Sequence, residues 1–204
     1  MAHHRNALAG AVAINTAIVV TELAAGSQAG SLSLVMDGVH NLSDELALVA
    51  LYLAFVLPHG VSRNLLRTGN LCNSLGLLAV SVLVLWQAVE RILAPAPVIG
   101  WVAILVGLGA AAANLAVARL LRRAARHNAS VRLAYLHNLA DAGASLAPVA
   151  AGVLVSASGR PWFDPLVAAL VAVWIFVSTV REAAASRDEL IWPEKLVCGH
   201  AERD

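Results

Sequence analysis

Two five-residue stretches, His-Asn-Leu-Ser-Asp at 40–44 and His-Asn-Leu-Ala-Asp at 137–141, each set a histidine four residues ahead of an aspartate within apolar surroundings. On a helix, positions i and i+4 share one face a turn apart, so His40 with Asp44, and His137 with Asp141, can each aim at one point. Ionisable side chains within a bilayer span cost roughly 2.5–3.5 kcal/mol each and persist mainly where they face a bundle interior or a wet cavity. The first stretch lies among four such groups, Asp37, His40, Asp44 and Glu45, with no Lys or Arg close in sequence to neutralise them. A bound divalent cation would supply the missing positive charge. Two imidazole nitrogens and two carboxylate oxygens suit tetrahedral Zn²⁺, and the two aspartates balance its charge. Nitrogen donors turn preference away from Mg²⁺ and Ca²⁺ towards zinc and its neighbours, leaving Cd²⁺ and Co²⁺ open. A single His-x-x-x-Asp inside a span is also what a packing hydrogen bond looks like. The same intervening Asn-Leu, twice in a chain with 7 histidines, argues instead for two halves of one site.

The elements that must carry these pairs follow from composition. Of 204 residues, 59% are hydrophobic and 13% charged, and the mean hydropathy is +0.74. That is too apolar for a soluble domain of this size. Apolar runs near the ~20 residues needed to cross a bilayer recur along the chain. The pattern predicts an all-α membrane protein of six transmembrane helices, at about Ala7–Ala25, Ser33–Leu57, Asn70–Val89, Ile99–Leu121, Leu133–Val155 and Pro165–Val180. Breakers separate them: Gly26 and Gly30, Pro58 and Gly60, Pro95 and Pro97, Gly159 and Pro161. The amino-terminal run is too long for a signal peptide, shows no clear cleavage site, and reads as the first span.

Charge sets the orientation. With a cytoplasmic amino terminus, Arg5, Arg63, Arg67, Arg119, Arg122, Arg123, Arg126, Arg132, Arg181, Arg187, Lys195 and Arg203 fall on one side, against Arg91 and Arg160 on the other. Both termini are therefore expected inside. Trp86, Trp101 and Trp162 then gather near the outer interface. The expected organisation is a membrane domain at 1–181 and a short cytoplasmic tail at 182–204, the latter too short for a core of its own. A net charge of +1 gives no pull towards nucleic acid. Cys72 and Cys198 form neither a disulfide framework nor a Cys-x-x-Cys site, and Cys198 with His200 reads as incidental. Glu22, near the outer end of the first span, reads as an interfacial residue rather than a proton carrier.

Depth tests whether the pairs can meet. From the outer end of the second span, His40 and Asp44 lie roughly 10–17 Å deep; from the inner end of the fifth, His137 and Asp141 lie roughly 6–12 Å deep. In a core ~30 Å thick the pairs miss by about 7 Å, which a boundary shift of a few residues closes.

Four segments together resemble the cation diffusion facilitator family, the zinc-efflux type of metal/proton antiporter. "SLSLVMDGVHNLSDELALVALYLAF" is similar to its second span, "NLCNSLGLLAVSVLVLWQAVERI" to its third, "AYLHNLADAGASLAPVAAGVLV" to its fifth and "DPLVAALVAVWIFVSTVRE" to its sixth. The resemblance implies that His40, Asp44, His137 and Asp141 are the transport-site ligands, that Asp37 lines their approach from outside, and that Asn73 and Asn114 are polar packing or cavity positions. It implies Zn²⁺ as cargo rather than resident cofactor, protons as counter-ion, no organic cofactor, no catalytic residue, and a multi-pass location in a bacterial inner membrane. Family members usually carry a folded cytoplasmic domain after the sixth span. This sequence ends before one, so a homodimer, if formed, is expected to rest on membrane contacts. The loop between spans two and three offers only His59, with Leu66 where an acidic residue is common, which speaks against a second metal site there.

Proton release on metal binding gives the expected cycle, zinc accepted from the cytoplasm and displaced by protons outside. Pro148 and the small residues around it in span five would permit a bend, though plain helix packing accounts for them as well. The rival from another class is a membrane-embedded zinc hydrolase, which needs three ligands, an open position for water and a general base. Glu45 and Asp37 are the available bases, and neither has convincing spacing on the face of the pairs. Export of Fe²⁺ or Mn²⁺ by the same site is the other alternative.

Overall fold

The computed structural model describes residues 2–56, 59–126 and 129–185, and among these all regular structure is helical. The helices are α1 (Ala2–Ala29), α2 (Leu32–Val56), α3 (His59–Leu93), α4 (Gly100–Ala125), α5 (Ala129–Ala144), α6 (Leu146–Ser158) and α7 (Phe163–Ala185). Leu8–Ala29, Ser74–Leu93, Gly100–Ala125, Ala134–Ser158 and Phe163–Arg181 are long and apolar enough to cross a membrane. The remaining span is α2, whose 25 residues reach about 37 Å but include Asp37, Asp44 and Glu45. A helix so charged has to be enclosed, and α2 is: it packs on α1, α3 and α7 and touches α4, α5 and α6. The six spans of the sequence reading are all present, with α5 and α6 forming one interrupted span.

That interruption was not expected over a plain packing helix, and Pro148 explains it. Proline has no N–H to offer the carbonyl four residues back, and its ring crowds that carbonyl. The carbonyl concerned belongs to Ala144, where α5 ends, and α6 resumes at Leu146. Small residues then let α6 cross α4 closely. A Cβ on Gly100 would stand 2.6 Å from the Gly152 carbonyl oxygen, so the two backbones meet with no side chain between them.

The helix ends are fixed by specific contacts. Gly30, at φ +67, makes the turn from α1 to α2, and a Cβ there would lie 2.6 Å from the Pro97 carbonyl oxygen. Left-handed backbone and close approach both demand glycine. Against this turn, Ile99 N–H donates to the Ala29 carbonyl at 2.9 Å, and the Arg91 guanidinium donates to the Gly30 carbonyl. The start of α2 is held by α7: Asp164, fully buried, accepts from Ser31 Oγ at 2.7 Å, Ser33 Oγ at 2.6 Å and Leu32 N–H at 2.6 Å. A carboxylate here satisfies orphan N–H groups and opposes the positive end of the helix dipole. At the other end of the chain's path, Gly159 caps α6 in the left-handed conformation.

Two apolar clusters bracket the bundle. One joins Leu8, Ala11, Leu48, Val117, Leu121 and Val131 from α1, α2, α4 and α5. The other joins Leu32, Met36, Val84, Ala88, Ala168 and Ile175 from α2, α3 and α7. Large apolar side chains such as Leu75, Trp86, Leu105, Leu170 and Trp174 point outward, as a lipid-facing surface requires. Several boundaries differ from the sequence reading. Helix α3 begins at His59, eleven residues before Asn70, so Gly60, Arg63 and Arg67 lie on a polar helical extension and not in a loop. Helix α7 continues past Val180 to Ala185. Residues from 186 on, including Cys198 and His200, lie outside the described residues, as do the side chains of His59, Cys72 and Asn73.

Candidate metal centre

Between the two apolar clusters the buried side chains turn polar. Asn15, Glu22, Asp37, Asn41, Asp44, Glu45, Asn114, Asn138, Asp141 and Ser145 are all buried in a bundle otherwise made of aliphatic residues. Helices α2 and α5 bring the duplicated motifs together within this layer. The depth mismatch closes because α5 starts at Ala129 and not Leu133, which adds about 6 Å of helix ahead of His137.

The pairs meet crosswise. His40 Nε2 lies 3.7 Å from Asp44 Oδ2 on its own helix and 3.5 Å from Asp141 Oδ1 on α5. His137 Nε2 lies 2.5 Å from Asp44 Oδ1 and 4.0 Å from Asp141 Oδ2. The two imidazole rings stand 6.2 Å apart, tilted by 59°. Zinc–ligand bonds of 2.0–2.1 Å in a tetrahedron imply ligand atoms about 3.3 Å from one another. Three of the four histidine–aspartate distances are within several tenths of an ångström of that edge. The fourth is shorter because His137 and Asp44 are hydrogen-bonded directly. His40, Asp44 and Asp141 each offer a ligand atom within 4.8 Å of the others. The donor set and spacing thus fit a zinc-sized ion after a small outward movement of His137.

Access is uneven. The side chains of Asp44 and Asp141 are 6% and 5% exposed and that of His40 12%, whereas His137 is 48% exposed. The site therefore opens on the His137 side. Asparagines of the two motifs line its flanks. Asn41 Nδ2 donates to Glu22 Oε2 at 2.7 Å, and Asn138 Nδ2 to the Ala134 carbonyl at 2.9 Å. Asn114 on α4 reaches Asn41 Oδ1 and Ser145 Oγ, each at 3.4 Å. Asp37 sits one turn from His40, 4% exposed. Glu45 accepts from Thr16 at 2.6 Å, which ties it to α1 and away from the quartet. A surface groove of about 630 Å³ between the α3–α4 loop and the end of α6 is lined by residues such as Pro97, Trp101, Ser156 and Pro161 and holds no acid, base or metal ligand.

The reading of Glu22 as interfacial is corrected by the structure: the residue is fully buried. Helix α1 is apolar on every side, so no stripe in its sequence marks the face turned inward. The signal lay in pairing. A tight antiparallel turn at Gly30 sets residue 22 opposite residues 38–41, and a Cβ on Gly38 would stand 3.0 Å from Glu22 Cβ. Asp164 was passed over for a similar reason, since an Asp-Pro pair at a helix start reveals nothing about the second helix it caps.

A family model described as the cation efflux transmembrane domain matches residues 8–191. Among curated proteins, the zinc transporter ZitB of Yersinia pestis is 31% identical over 193 residues, covering 89% of this chain and 61% of its own. ZitB of Escherichia coli K12 is 28% identical over 190 residues with the same coverage. The cadmium, cobalt and zinc/H(+)-K(+) antiporter of Bacillus subtilis is 27% identical over 173 residues, covering 80% of this chain and 56% of its own. The chain thus spans about three-fifths of the length of these two zinc transporters.

Proposed function

The chain belongs to the cation efflux family, and on that premise we propose that it exports a divalent metal cation, Zn²⁺ foremost, across a bacterial inner membrane in exchange for protons. The observation that carries this reading is the crossed quartet: two aspartates and two histidines from α2 and α5, gathered in the interior of the bundle with no cationic side chain among them. The names of the relatives, zinc transporters and a cadmium, cobalt and zinc antiporter, support a transporter over a hydrolase and leave Cd²⁺ and Co²⁺ as alternative cargo.

His40, Asp44, His137 and Asp141 hold the ion. Neutral imidazoles and ionised carboxylates are the binding-competent forms, so metal entry expels protons and proton entry weakens the metal. His137 is the exposed ligand. It lies on α5, the helix that follows the α4 end bearing Arg122 and Arg123, an end that the charge asymmetry assigns to the cytoplasm. That placement supports a site loading from inside. Protonation on the outer side releases the ion, and the protonated quartet returns. The whole bundle rocks about a fixed site, α5 and α6 moving as two rods joined at Ser145.

Zinc flux into proteoliposomes, with and without an imposed pH gradient, tests the proposal. Uptake accelerated by the gradient is expected in the wild type. Loss of uptake is expected in His40→Ala and Asp141→Ala protein that still inserts and remains monodisperse. Transport by either variant at the wild-type rate would remove the quartet from the mechanism.

A further inference from the structure

Within its membrane stretch α1 has a single ionisable residue, Glu22, and it is nowhere near solvent. Oε2 of Glu22 accepts from Asn41 at 2.7 Å, and Asp37, itself buried, lies across the α1–α2 contact, where a Cβ on the adjoining Gly38 would stand 3.0 Å from Glu22 Cβ. Two ionised carboxylates enclosed together repel, and a proton on one of them removes that repulsion. No cation replaces it among the described residues. From α2 the neighbouring titratable groups are Asp37 itself, then His40, Asp44 and Glu45; α5 offers His137 and Asp141, α6 none, and α4 presents there the neutral amide of Asn114. Arg91 on α3 is engaged at the Gly30 carbonyl, eight residues or about 12 Å along α1.

A third helix points to the same missing donor. Asn114 on α4 is fully buried and spends its Nδ2 on Ser145 and on Asn41, the residue that also holds Glu22. Its Oδ1 has no donor, and neither have Glu22 Oε1 and Asp37 Oδ2. Three acceptor oxygens left bare in one buried cluster are costly in a bilayer. A proton turns one of them into a donor. Three oxygens are too few for a hard metal cation, which takes six or more, and the cluster lacks the nitrogen ligands that favour zinc.

We propose that the Glu22–Asp37 pair is a proton-binding site distinct from the metal quartet, one turn along α2 from His40, and that it carries a proton exchanged for metal in addition to those taken up by the quartet. The role in exchange rests on the exporter reading; the presence of the proton does not. Asn41 links the two sites, since it follows His40 in the chain and binds Glu22 through its side chain. Loss or gain of the proton therefore alters the α1–α2 contact beside the metal ligands.

The test pairs transport with spectroscopy on the full chain. In proteoliposomes holding a pH dye and a zinc dye, Glu22→Gln is expected to keep zinc affinity within about twofold while proton counterflow per zinc falls at least about twofold. Glu22→Asp, which keeps a carboxyl group, is expected to recover part of it. Undiminished counterflow in Glu22→Gln would overturn the role in exchange, and recovery by Glu22→Ala would do the same. Should Glu22→Gln fail to fold, the infrared spectra of Glu45→Gln protein at neutral pH, zinc-free and zinc-saturated, decide the matter. A protonated-carboxyl carbonyl band that shifts in D₂O is expected without zinc and is expected to weaken on saturation, and its absence from the zinc-free protein would overturn the proposal. If wild-type vesicles carry no zinc at all, the exporter reading falls, while the infrared band still reports on the carboxyl pair.

Discussion

At the scale of single residues, the quartet was legible because its signal is local. Spacing of four, a repeated Asn-Leu and carboxylates in apolar surroundings name His40, Asp44, His137 and Asp141 without any tertiary information. Removing one of these proposed ligands would leave three donors and an unbalanced charge. Asp141→Ala is expected to weaken zinc binding at least about a hundredfold by isothermal titration; a smaller loss would mean that Asp141 is not a ligand. His137→Asp should keep binding but shift preference towards harder ions, because a nitrogen donor is exchanged for oxygen. Competition of Mn²⁺ against Zn²⁺ measures that shift, and unchanged selectivity would count against the ligand-type argument. Acidification should weaken zinc binding in the wild type, since protons compete for both histidines and both aspartates. Glu22 stayed illegible for the opposite reason. Its role depends on which α2 residues it faces, and that is fixed only once the Gly30 turn sets the antiparallel register.

Elements carry the site to within useful distance, and two contacts do most of the positioning. Asp164 binds the first turn of α2 through Ser31, Leu32 and Ser33, so the helix bearing His40 and Asp44 starts from a point fixed on α7. Asp164→Ala strands those donors in a buried setting, each worth about 1–3 kcal/mol when left unmade. A loss of a few kcal/mol in chemical unfolding in detergent is expected, and an unchanged midpoint would show that water replaces the carboxylate. The second contact is the break at Ser145. Periodicity alone reads residues 133–155 as one helix, since the pattern of apolar residues continues through Pro148. Only the missing N–H and the crowded Ala144 carbonyl divide it. Pro148→Ala removes both causes. Straightening should draw Asp141 out of line with His40, now 3.5 Å away, and weaken zinc binding about tenfold. Wild-type affinity in this variant would mean that α5 positions its ligands without help from the break.

Across the whole molecule, a polar layer is held between two apolar clusters, and α2 threads all three. Such a layer is stable in a bilayer only if the surrounding helices shield it, which is why the helix with three acids is also the one with the most neighbours. Which end faces the cytoplasm decides whether His137 is an entrance or an exit. The charge asymmetry supports one assignment: among the described residues Arg91 and Arg160 lie at the α3–α4 and α6–α7 end, and Arg119, Arg122, Arg123, Arg126 and Arg132 lie about the α4–α5 end, which the asymmetry proposes as cytoplasmic. Cysteine labelling in intact cells, in protein whose Cys72 and Cys198 are replaced by serine, puts that assignment at risk. Ala94→Cys, exposed where α3 ends, should react with a membrane-impermeant maleimide from outside. Arg126→Cys, exposed at the end of α4, should react only after the membrane is opened. The reverse pattern would invert the bundle, turn the exposed His137 towards the exterior, and make the loading step proposed for the inside a releasing step instead.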